Sequence, residues 1–189
     1  MIRLAIFASG SGTNAQKLME FFEDDHEVSV GAVFCNKPEA QVIERSKKFG
    51  IPVELFEKRD LMNPHFFKRL DFHFIDVIVL AGFLLKIPPH IIRAFPDRII
   101  NIHPSLLPKY GGKGMYGNKV HEAVLANNES ESGITIHLVN EIYDDGRILC
   151  QKTCQVLPGD TSADLAARIH KLEHEYFPMI VNEYVRTLS

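Results

Sequence analysis

Ile2-Arg3-Leu4-Ala5-Ile6-Phe7-Ala8-Ser9-Gly10-Ser11-Gly12-Thr13-Asn14-Ala15 decides the fold. Ile2 to Ala8 is a compact apolar run that stops on a serine/glycine cluster, as a strand buried on both faces does. Directly after it, Leu18, Phe21 and Phe22 recur at helical spacing. A strand running through glycines straight into a helix reads as the first unit of a βαβ series.

The rest of the chain repeats that alternation. Val28 to Cys35, Ile75 to Leu80 and Ile99 to Ile102 are further apolar runs bounded by polar or glycine residues. Between them, Val42, Ile43 and Phe49, then Phe66, Phe67 and Leu70, carry helical spacing. The expected fold class is α/β, a mostly parallel sheet with helices on both faces and right-handed crossovers. Ligand sites then belong at the carboxyl ends of the strands.

After Ile102 the pattern changes. Pro104 to Asn118 is polar, without periodicity and long for a connector, as binding lids and walls often are. Ser132 to Val139 and Ile148 to Val156 read as strands flanking the turn-like Tyr143-Asp144-Asp145-Gly146, an antiparallel extension of the sheet. Ser162 to Val185 closes the chain as a helix. Asp160-Thr161-Ser162-Ala163-Asp164 caps its start, and Pro178 predicts a kink or break in its last third.

Composition narrows the partners. The 189 residues are 46% hydrophobic, enough for one sizeable core, so 1–189 reads as a single domain. A net charge of -3 and a pI near 6.3 give no basic surface for nucleic acid. Small-molecule substrates are the expected partners, with a monomer or homodimer as the assembly. Cys35, Cys150 and Cys154 have no C-x-x-C spacing and suit a reducing compartment. Leu4 to Ala8 is too short for a signal peptide or membrane span, so a cytoplasmic protein is expected.

Ser9 to Ala15 sits where bare backbone N–H groups and a helix dipole favour an anion, which makes it a candidate phosphate turn. Gly10, Gly12 and Ala15 also fit the dinucleotide spacing G-x-G-x-x-A. That alternative requires an acidic residue after the second strand, whereas the chain there reads Phe34-Cys35-Asn36-Lys37. One phosphate is the preferred reading.

Asn101-Ile102-His103-Pro104-Ser105-Leu106-Leu107-Pro108 ends a buried strand, and alternation puts the side chains of Asn101 and His103 on one face. An amide that can donate to an oxyanion and an imidazole that can move a proton suit acyl transfer to an amine. A satisfied polar pair at a strand end is the plainer alternative. Asp144 joins them only if its turn reaches His103 in space, in which case its carboxylate would raise the imidazole pKa. His170-Lys171-Leu172-Glu173-His174 matches H-x-x-E-H on a helix, yet no third ligand follows, so it reads as a solvated face and no metal is expected.

Taken together, Ser9 to Asn14, the Asn101 to Pro108 string and Asp144-Asp145-Gly146 resemble the phosphoribosylglycinamide formyltransferases. The likeness runs nearly end to end, through Val79-Leu80-Ala81-Gly82-Phe83 and Glu173-His174. It implies a Rossmann-like formyltransferase fold and 10-formyltetrahydrofolate as co-substrate. It implies that Gly12, Thr13 and Asn14 hold a ribonucleotide phosphate with Glu173 nearby, and that Asn101, His103 and Asp144 form the catalytic set. It places Leu84, Leu85, Lys86, Ile87, Val139 and Asn140 in the folate pocket, together with Asn101 and Asp144. The chain departs from the pattern in the longer Gly111-Gly112-Lys113-Gly114-Met115-Tyr116-Gly117 connection, read as a mobile surface excursion ahead of a folate-tail contact. No arginine clearly matches the folate-side arginine of some relatives. Formyltransferases acting on methionyl-tRNA or on a nucleotide-linked amino sugar are the nearest alternatives, with a nucleotide-binding reductase or a silent ligand sensor beyond them.

Overall fold

A computed structural model describes residues 1–188. The two longest apolar runs of the first half become strands with the predicted bounds, β1 Ile2–Ala8 and β2 Val28–Cys35. β3 Val53–Leu55, β4 Val77–Leu80, β5 Ile99–His103, β6 Glu131–Leu138 and β7 Ile148–Gln155 complete a 7-stranded sheet in the order β3-β2-β1-β4-β5-β6-β7. β3 to β5 pair in parallel through β2, β1 and β4. β6 then runs antiparallel to β5, and β7 antiparallel to β6, as the turn chemistry of Tyr143 to Gly146 predicts.

Helices cover both faces. α1 Thr13–Phe21, α2 Val42–Lys48, α6 Asn118–Ala126 and α7 Ser162–Arg186 pack a core that contains Leu4, Ile6, Leu18, Val79, Ile136 and Phe177. α3 Lys58–Leu61, α4 Phe67–Phe72 and α5 Pro89–Ala94 supply the opposite face, where Phe7, Phe34 and Phe66 are buried. The rings of Phe7 and Phe34 stack at 4.9 Å, with Phe83 edge-on to Phe7 at 5.2 Å. Alternation along β1 sends Leu4, Ile6 and Ala8 to one core and Ala5 and Phe7 to the other, so the strand reads as continuously apolar.

Three expectations change. β4 begins at Val77 rather than Ile75, because the Asp76 N–H bonds the Arg3 carbonyl outside the regular ladder while its carboxylate accepts from the Arg3 N–H. Asn118, expected in the loop, is the first residue of α6, whose Val120 and Val124 are buried. Pro178 does not end α7, which runs unbroken to Arg186. Pro178 removes one backbone donor, while Phe177, Val181 and Val185 beside it are fully buried, and that packing outweighs the missing bond. The predicted start of α7 is present in full: Thr161 Oγ1 accepts from the Asp164 N–H at 3.2 Å, and the Asp164 carboxylate accepts from the Thr161 N–H at 3.0 Å.

β1 has β2 on one side and β4 on the other, so the chain leaves it in opposite directions and opens a crevice at the strands' carboxyl ends. The two loops that bound the crevice are tied together. The Ser9 N–H donates to the Gly82 carbonyl at 3.1 Å, and the Leu84 N–H donates to Ser9 Oγ at 3.0 Å. No helix among the described residues is long and apolar enough to cross a membrane.

Candidate active site

The crevice is a cavity of about 780 Å³, within the range of small-molecule sites. It collects every site residue named from sequence: Gly12, Thr13 and Asn14; Leu84, Leu85, Lys86 and Ile87; Asn101 and His103; Val139, Asn140 and Asp144; and Glu173.

At one end lies the turn after β1. Gly12 is the N-cap of α1 with φ 73, and a Cβ there would sit 2.5 Å from the Val42 side chain. Only glycine satisfies both the left-handed backbone and the close approach of α2. The first turn of α1 has no side-chain cap and no acidic residue, so its N–H groups and the positive end of its dipole face the cavity unneutralised. Asn36, where a dinucleotide site would require an acid, instead accepts a 2.6 Å hydrogen bond from Ser9 Oγ. Glu173 is buried and its Oε2 accepts from Asn14 Nδ2 at 2.9 Å and from His170 Nδ1 at 2.8 Å. The hydrogen bond to Glu173 raises the His170 pKa against the opposing effect of burial. The H-x-x-E-H face thus folds its glutamate inward onto α1, and His170 and His174 stack outside it at 6.1 Å. Among the described residues, no group of three or more metal-ligating side chains could hold an ion.

The centre is built across the β5–β6 register, which sets Asn101 opposite His137 and His103 opposite Thr135. His137 Nδ1 lies 2.8 Å from the Leu138 carbonyl and must donate to it. Its Nε2 then accepts from Asn101 Nδ2 at 3.0 Å. Asn101 keeps its second amide hydrogen for the cavity. His103 is buried, and its Nε2 donates to the Tyr110 carbonyl at 2.8 Å. Tyr110 holds that carbonyl in place from a left-handed backbone, φ 57.

Asp144 reaches both imidazoles. Its Oδ2 lies 3.7 Å from His103 Nδ1, and its Oδ1 lies 3.7 Å from His137 Nε2. The Gly112 N–H donates to Oδ2 at 2.8 Å, which draws the glycine-rich segment into the site. That segment, read from sequence as a surface excursion, lines the cavity from Gly112 to Gly117. Burial raises the Asp144 carboxyl, but the neighbouring His137 and His103 imidazoles and the Gly112 N–H outweigh it and hold it below the ordinary 3.8. For His103 the balance reverses the expected direction. Burial lowers its pKa below 6.5 and exceeds the raising effects of Asp144 and the Tyr110 carbonyl.

Two contributors escaped sequence reading. His137 falls within a predicted strand, where only the pairing with Asn101 distinguishes it. His121, on an unpredicted helix, is buried and lines the cavity. A strand face carrying Asn101 and His103 beside a strand face carrying Thr135 and His137 was the available signal.

Comparison with known proteins shows the family. The sequence profile described as "Formyl transferase" matches residues 2–181. The chain is 42% identical over 186 residues to "Phosphoribosylglycinamide formyltransferase, chloroplastic" of Arabidopsis thaliana, which covers 95% of this chain and 64% of that protein. It therefore spans less than two thirds of that plant relative. It is 35% identical to "Phosphoribosylglycinamide formyltransferase" of Bacillus subtilis (strain 168), covering 97% of this chain and 94% of the relative. The crystal structure of phosphoribosylglycinamide formyltransferase from Bacillus halodurans superposes with a TM-score of 0.89 at 32% identity, covering 99% of this chain and 97% of that one.

Proposed function

The chain belongs to the formyl transferase family, and from that premise we propose that it transfers the formyl group of 10-formyltetrahydrofolate to the amine of 5-phosphoribosylglycinamide. The products are formylglycinamide ribonucleotide and tetrahydrofolate, on the de novo route to IMP. The observation that carries the reading is the convergence of Asn101, His103 and Asp144 between an uncapped helix N-terminus and an apolar segment in one cavity.

Each part of the cavity has a task. Gly12, Thr13 and Asn14 receive the phosphate on the backbone N–H groups at the start of α1. Glu173, held by Asn14 and His170, presents its other oxygen to the same substrate. Leu84, Leu85, Ile87 and Val139 give the folate an apolar wall, with Lys86 and Asn140 as polar neighbours. No metal takes part in this scheme.

The neutral amine attacks the formyl carbon, and the carbonyl oxygen becomes an oxyanion. Asn101 donates its free amide hydrogen to that oxygen, held in orientation by His137. Burial keeps His103 neutral at rest. As the amine adds, the proton it sheds passes by way of Asp144 to His103 Nδ1, so the imidazolium forms as the oxyanion does and the stabilisation is strongest in the transition state. The protonated ring has a donor for each acceptor it faces, the Tyr110 carbonyl and Asp144. As the C–N10 bond breaks, His103 returns that proton by way of Asp144 to N10, so the amine loses one proton, N10 gains one and the imidazole ends neutral.

The protein acts as a single cytoplasmic formyltransferase domain, residues 1–189, on small-molecule substrates, as a monomer or homodimer without nucleic acid or membrane. Purified protein mixed with glycinamide ribonucleotide and 10-formyltetrahydrofolate tests the reading through the absorbance of deformylated folate. Turnover that depends on the ribonucleotide supports it. Ribonucleotide binding without turnover makes the chain a sensor and overturns the assignment.

A further inference from the structure

The wall built by the glycine-rich segment has its own chemistry. Lys113, Gly114, Met115, Tyr116, Gly117 and Asn118 line the cavity in sequence, and the chain continues into α6, whose His121 lines it as well. The Lys113 side chain is exposed and has no carboxylate partner among the described residues. α6 is nine residues long, has Gly117 at its N-cap and hence no side-chain cap, and has no acidic residue in its first turn. Asn118, which could have capped it, donates instead to Glu122 Oε1. His121 is 3% exposed, and its Nδ1 is buried without a hydrogen-bond partner among the described residues. A buried ring nitrogen without a partner costs free energy, and a ligand in the cavity would recover it.

Resting on the reaction above, we propose that Lys113, the N-terminus of α6 and His121 form a second anion-recognition element, which binds an anionic oxygen group of a substrate. The wall offers an ammonium, free backbone N–H groups and an imidazole that can donate, all complementary to negative oxygen. The carboxylates around it are already engaged, Asp144 by the Gly112 N–H, Glu122 by Asn118 and Glu173 by Asn14 and His170. The Gly112 N–H bond to Asp144 anchors one end of the wall to the catalytic carboxylate, and α6 anchors the other. The proposed substrates carry two such groups, the phosphate monoester of the ribonucleotide and the tail carboxylates of the folate.

Calorimetric titration of wild type, Lys113→Met and His121→Asn with glycinamide ribonucleotide, and separately with mono- and triglutamyl tetrahydrofolate, separates the two sources. Lys113 is exposed, so its variant reads binding with the fold intact. Ribonucleotide affinity falling about three- to tenfold in Lys113→Met, with folate unchanged, identifies the phosphate. The same fall confined to triglutamyl folate identifies the carboxylates. Affinities within twofold of wild type for every ligand overturn the proposal. If wild type binds neither ligand, the formyltransfer reading falls by itself, and inorganic phosphate decides the remaining question. Weaker phosphate binding in Lys113→Met than in wild type supports the wall, and equal binding overturns it.

Discussion

His137 fixes the orientation of Asn101: its Nδ1 bonds the Leu138 carbonyl at 2.8 Å, which leaves Nε2 to accept the Asn101 amide at 3.0 Å. The amide cannot turn over without pairing its oxygen against a nitrogen lone pair. Asn101→Ala is therefore expected to lower kcat by about 10²- to 10³-fold while ribonucleotide binding persists. Steady-state kinetics with calorimetry checks this, and turnover at the wild-type rate would sink the oxyanion role.

His137 acts on that step through Asn101. His137→Phe keeps a ring of similar size in β6 but loses the acceptor, so kcat should fall by about tenfold or more with both KM values little changed. A loss expressed only in KM would assign His137 to binding instead.

Asp144→Asn keeps shape and removes charge. His103 then loses the main opponent of its burial, and its pKa should move further below 6.5. We expect kcat to drop about a hundredfold or more and the His103 imidazole signal, followed by NMR, to titrate at lower pH than in wild type. An unmoved titration would show that Asp144 does not act on His103.

Stability should fall on mild acidification. Burial depresses the pKa values of His103, His121 and His174 below 6.5 in the folded protein. Between 6.5 and those lower values the unfolded chain binds more protons than the folded one, so unfolding becomes easier as pH drops through that window. His170, whose pKa is raised, opposes the trend, but it is half exposed and counts for less. Thermal melts should show a Tm at pH 5.5 below that at pH 7.5 by roughly 3 °C or more, with a shallower slope in His121→Asn. A flat profile would contradict the burial argument.

Gly12→Ala forces a Cβ into a left-handed backbone and against Val42. The conformational part alone costs about 1–2 kcal/mol, and displacement of the turn should weaken ribonucleotide binding. Denaturant melts and calorimetry together check it. Unaltered stability and affinity would mean that the turn tolerates a side chain.

How legible the protein was from its sequence depends on the range of the interaction. β1, β2 and the cap of α7 are written in neighbouring residues: continuous apolar runs, and Thr161 with Asp164 three positions on. The turn at Gly12 was readable for the same reason. α6 was not, because it follows a glycine-rich loop and its buried Val120, His121 and Val124 give only a short helical pattern. The meeting of Asp144 with His103 spans the β5–β6 and β6–β7 pairings, and no local pattern encodes a register. The sign of the His103 shift required its burial, which depends on Tyr110 and Asp144 closing around it. Pro178 misled for a related reason, since its local cost is overruled by distant packing against the sheet.

The sheet changes direction between β5 and β6, and the candidate site straddles that seam. Asn101 and His103 arrive with the parallel half, His137 and Asp144 with the antiparallel half. The exposed Asn127-Asn128 turn lies between the halves in sequence. A chain divided there would yield two pieces that each hold part of the chemistry and neither the whole, so catalysis would report their reassembly.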